Sequence, residues 1–67
     1  MNSTEALFIA KMAKLVMQLV EFGRPVNQAV YDAASSYFLN KGQVSQLVSL
    51  LPDEVIHQYN QSKRKGV

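Results

Sequence analysis

From Ala6 to Phe22 the chain offers only four polar side chains, Lys11, Lys14, Gln18 and Glu21. At about 100° per helical residue those four share an arc of roughly 80°, and almost everything else around the helix is apolar. A helix on the surface of a small protein needs an apolar stripe only about 100° wide to face its core. The first segment therefore exceeds what three further short helices of one chain would be expected to cover, and a second copy is the simplest additional cover. Ala6, Ala10 and Ala13 would let another helix approach closely, while Ile9, Met12, Leu15, Val16, Met17 and Leu19 would fill the space between. These nine residues form the expected dimer interface.

Length strengthens that expectation. The chain has 67 residues, and in so small a domain the burial of apolar area barely offsets the conformational entropy lost on folding. Disulfides are excluded because there is no cysteine, and one histidine with no thiol cannot complete a structural zinc site. A partner subunit or unusually close helix packing is what remains.

Helical punctuation divides the sequence into four segments. Ser3 or Thr4 can cap the first, Glu5 suits its first turn, and Gly23, Arg24 and Pro25 stop it, which gives a helix over about 4–22. Pro25 suits the first position of a second helix. Val26, Ala29, Val30, Ala33, Ala34, Tyr37 and Phe38 then recur at helical spacing as its buried face, with Tyr31 and Leu39 on the other side, until Asn40, Lys41 and Gly42 break the pattern. Val44, Leu47, Val48 and Leu51 mark a short third helix that Pro52 ends. A fourth begins at Pro52, Asp53 and Glu54 and buries Val55, Ile56 and Tyr59. No period-two run or hairpin turn competes, so the expected fold is all-α, a bundle of about four helices, two longer and two short. The expected organisation is one helical domain over 1–62 and a short basic tail, frayed at its end, over 63–67.

Charge places the basic residues. The formal net charge is +2, from seven Lys and Arg against five Asp and Glu, but Lys63, Arg64 and Lys65 supply three of the positives. The remaining body is slightly acidic, so the basic character belongs to the tail. An acid at Glu5 and lysines within the apolar segment do not fit a secretory signal or a membrane span, and the reading is cytoplasmic. Nor does the narrow mixed stripe of helix 1 match the broad cationic face of an interfacial helix.

Groups able to do chemistry are few. His57 follows Asp53 and Glu54 at helical spacing, which fits a solvated ion pair better than a metal site. Ser35 and Ser36 have no histidine near them in sequence, and Gly23, Gly42 and Gly66 stand singly, so neither a nucleophile elbow nor a phosphate loop is present. No catalytic residue, cofactor or metal is expected.

A second reading concerns DNA. Helix 2, a turn through Gly42 and helix 3 have the proportions of a helix-turn-helix, with Gln43, Ser45, Gln46 and Ser49 as readers and Lys41, Lys63, Arg64 and Lys65 on phosphate. The predicted reader, over about 43–51, contains no Arg or Lys, although phosphate contacts supply most non-specific affinity, and Phe38 is bulky where a small residue would ease packing. The expectation that follows is a non-enzymatic helical protein acting on a protein partner, as a homodimer built around helix 1. A small dimeric DNA-binding regulator is the alternative.

Overall fold

The computed structural model describes residues 3–65, with side chains through Ser62. Four helices follow one another: α1 (Ser3–Glu21), α2 (Val26–Ser36), α3 (Lys41–Ser49) and α4 (Asp53–Lys65). There is no strand among the described residues. α1 packs against α2 and α3, and α4 packs against α2, so α2 packs against all three others. α3 and α4 have no contact of like extent and stand apart beyond the corner formed by Leu50, Leu51 and Pro52.

Each helix end has a local cause. Past Glu21, the Gly23 N–H donates to the Val20 carbonyl at 2.9 Å and the Arg24 N–H to the Leu19 carbonyl at 3.1 Å, with Gly23 at φ +102. Those two bonds make a Schellman close, which needs one left-handed residue and finds it in glycine. α3 starts in a reciprocal cap: Asn40 Oδ1 accepts from the Gln43 N–H at 2.8 Å, and Gln43 Oε1 accepts from the Asn40 N–H at 3.0 Å. Such a box satisfies two of the donors that a helix start leaves open.

The core gathers Ile9, Met12, Ala13 and Val16 from α1 with Val26, Ala29, Val30 and Ala33 from α2. Leu47, Leu51 and Val55 close it from the other side, and Ile9, Val16 and Leu47 are sealed completely. This narrows the surface assigned to a second copy. Ile9, Met12, Ala13 and Val16, expected in a dimer interface, are interior to the single chain, because α2 and α3 both pack on α1 and between them cover more of its circumference than their lengths imply. Leu15, Met17 and Leu19 are half-buried against the same core, which leaves Ala6 and Ala10 exposed. The Cα radius of gyration is 11.3 Å, close to the roughly 11 Å of an independent domain of this length.

α2 differs from its expected extent. It ends at Ser36, and the next turn swings Phe38 to φ +55 and outward, so that Phe38 is 93% exposed and Tyr37 49% exposed instead of lying on the buried face. Leu39, expected outside, turns back against the core, its N–H donating to the Ala34 carbonyl at 3.0 Å. The reversal follows from the helix end itself, since a left-handed residue redirects the chain and exchanges the faces that follow it. α3 begins at Lys41, two residues ahead of the predicted reader, and its backbone accommodates Gly42 without a break. α4 continues through Lys63, Arg64 and Lys65, so helical backbone extends into the segment read as a tail; the side chains of those three, and Gly66 and Val67, lie outside the described residues.

Candidate functional site

Chemistry-bearing side chains are dispersed. His57 is exposed, and no salt bridge joins it to Asp53 or Glu54 despite the helical spacing. Among the described residues no three His, Asp or Glu side chains converge as a metal site requires. Ser35 and Ser36 face solvent on α2. Near them Arg24 Nη1 meets Asp32 Oδ2 at 2.9 Å, and Gln28 Nε2 donates to Asp32 Oδ1 at 3.0 Å, tying the α1–α2 turn to the middle of α2.

The helix-turn-helix candidates on α3 are largely engaged within the chain. Gln43 is committed to the capping box, and the Ser49 hydroxyl donates to the Gln46 carbonyl at 2.6 Å. Gln46 is half-buried, turned towards α1. That leaves Lys41 and Ser45 exposed and unengaged near the start of the helix. Two of the four predicted readers would have to give up an internal bond to reach a base edge, and a lost cap alone costs about 1 kcal/mol.

Two apolar surfaces were only partly legible in the sequence. The first is a channel of roughly 270 Å³ between α1 and α3, floored by Ile9 and edged by Ala6, Ala10, Ser49 and Leu50. Leu50 is 55% exposed on its rim, and Gln46 Oε1 lies in its wall shut off from solvent and without a hydrogen-bond donor. Ala6 and Ala10 belong to the predicted interface, whereas Leu50 and Gln46 join them only because α3 folds back across α1.

The second surface lies where α3 and α4 diverge. An open hollow of about 700 Å³ is walled by Leu39, Val44, Val48 and Tyr59 and edged by Lys41, Ser45 and Asn60. It meets another of about 420 Å³, between α2 and α4, at Val44 and Tyr59, which line both. No acid is found among the described residues lining either. Sequence periodicity places Val44, Val48 and Tyr59 on inward faces but cannot show that α3 and α4 part company there.

Large apolar side chains also stand out, Phe22 at 88% and Leu7 at 65% exposure besides Phe38, and Tyr31, at 67%, lines the hollow between α2 and α4. Tyr37 is held from one side, its ring edge-on to Phe8 with centroids 6.2 Å apart. No described helix is long and apolar enough to cross a membrane. Comparison with known proteins returns no match, whether to family models, curated proteins or solved structures.

Proposed function

We propose that this chain is a non-enzymatic, cytoplasmic interaction protein that acts as a homodimer and regulates a protein partner by binding it. The observation that carries this reading is the channel between α1 and α3. There two small side chains, Ala6 and Ala10, lie open beside a half-exposed Leu50, and a buried amide oxygen on Gln46 lacks a donor. An unmet buried acceptor costs about 1–3 kcal/mol, and packing by a second chain that turns the Gln46 amide towards a donor would recover part of that. Alanines one turn apart let helices approach closely, and the isologous contact of a two-fold dimer would bring Ala6 and Ala10 of each copy against the other.

Reading of duplex DNA by α3 has less support, since Gln43 and Ser49 are held by internal bonds and Lys41 is the one cation α3 carries. Light scattering after size exclusion tests the dimer. The expected result is a mass twice that of the chain at high micromolar concentration, falling to one chain for Ala10→Glu, whose carboxylate would be buried unpaired at the contact. A monomeric wild type under those conditions overturns the dimer.

A further inference from the structure

We infer that the turn closing α2 is a contact site for single-stranded nucleic acid, with the rings of Phe38 and Tyr37 as stacking platforms for bases. This goes beyond the reading of the chain as an interaction protein and does not depend on the dimer. Phe38 breaks two local rules at once: its backbone is left-handed at φ +55, and its ring is 93% exposed. A left-handed backbone costs a side chain of that kind free energy, and at such exposure the ring gains almost nothing from the rest of the chain. Reversing the chain after α2 needs only a left-handed residue, which glycine or asparagine supplies more readily, so the ring is free for a role outside the fold. Beside it Tyr37 is 49% exposed and braced edge-on by Phe8, with centroids 6.2 Å apart. Exposed rings of this kind stack on bases whatever the sequence, because every base has a π-face.

Charge selects the class of occupant. Lys41, exposed and unengaged, follows Phe38 by three residues, and Lys11, also exposed, lies one turn beyond Phe8 on the same side of α1. Ser35 and Ser36 add exposed hydroxyls on the last turn of α2. Of the nearby acids, Asp32 is held by Arg24 and Gln28, and Glu5 is half-buried one turn before Phe8, on the side away from Lys11. Rings accompanied by lysines suit a strand of bases and phosphates better than a protein pocket, because protein contact surfaces are poor in lysine. An anionic lipid surface would satisfy the lysines but would find only Phe38 to insert, since Tyr37 is held against Phe8. A duplex keeps its bases stacked on one another and offers the rings no free face.

The test is fluorescence anisotropy of the full-length protein with a labelled oligothymidylate of about 12 nucleotides. Binding is expected at low ionic strength, weakening with salt at a logarithmic slope of about −1.4, the value for two phosphate contacts on a single strand. Phe38→Asn should weaken binding about tenfold or more and leave that slope unchanged. The same variant should melt no earlier than the wild type by circular dichroism, which separates lost stacking from lost folding. Phe38→Trp should keep the affinity, because it keeps an aromatic face. Lys11→Gln and Lys41→Gln should each flatten the slope by about 0.7. Phe22→Ala removes a comparably exposed ring from the other end of α1 and should change nothing. Absence of binding at low ionic strength, unchanged binding by Phe38→Asn, or a duplex bound as tightly as the single strand overturns the site. So does displacement of the oligonucleotide by phosphatidylserine vesicles at equal phosphate concentration, which would assign the turn to a lipid surface.

Discussion

Gly23 and Phe38 hold the same place at the ends of two successive helices. Each is the left-handed residue after its helix, at φ +102 and +55, and each is followed by a residue whose N–H reaches back five positions, Arg24 to Leu19 and Leu39 to Ala34. Glycine takes that conformation freely, whereas a side chain in it costs about 1–2 kcal/mol.

Opposite stability changes are expected at the two positions. Gly23→Ala should cost about 1 kcal/mol even though an added Cβ would meet nothing within 4 Å, because the penalty lies in the backbone. Phe38→Asn should stabilise by about 0.5 kcal/mol, since asparagine tolerates the left-handed region and no buried contact is lost. Urea denaturation followed by circular dichroism measures both, and a stabilised Gly23→Ala would contradict the turn assignment.

At the start of α3, Asn40→Ala is expected to cost about 1 kcal/mol by opening the reciprocal cap. Gln43→Ala removes half of the same box and should cost less, and the double variant should fall short of the sum because the two side chains serve one cap. Thermal melts of the three variants check this, and additive losses would show that the two bonds act independently.

Gln46→Met exchanges an amide with an unmet buried oxygen for an apolar chain of similar size. In the monomer it should raise stability by about 1 kcal/mol. If a partner chain supplies the missing donor, the gain disappears in the assembled form, so stability measured at low and high protein concentration distinguishes the two.

Neighbouring alanines on α1 should respond differently to enlargement. Ala13 is in the core, and Ala13→Leu should cost about 1–3 kcal/mol through overpacking. Ala10 is open, and Ala10→Leu should change monomer stability by less than about 0.5 kcal/mol while altering self-association. A comparable loss at both would place Ala10 in the protomer core.

Most of the helical layout was legible because the punctuation is strong: Gly23 before Pro25, Asn40 before Gly42, and Pro52 before two acids. The inward residues of α3 and α4 follow from their spacing. What spacing could not give was the close of α2. Phe38 sits at a helical interval from Ala34, and nothing about phenylalanine marks a left-handed turn, so the pattern carries the helix two residues too far. The share of α1 covered by each neighbour was equally hidden, since it depends on where α3 crosses and not on any residue of α1. Gln43 and Ser49 look like free polar groups in the sequence and are engaged in the structure.

The separation of α3 from α4 has a dynamic consequence. α3 is held by α1 and α2 together, whereas α4 rests mainly on α2 and joins the rest of the chain through Leu50, Leu51 and Pro52. Local opening is easiest where few buried contacts must break, so the amides of α4 should exchange with solvent sooner than those of α1. The space between α3 and α4 is thus expected to have one anchored side and one side that opens more readily.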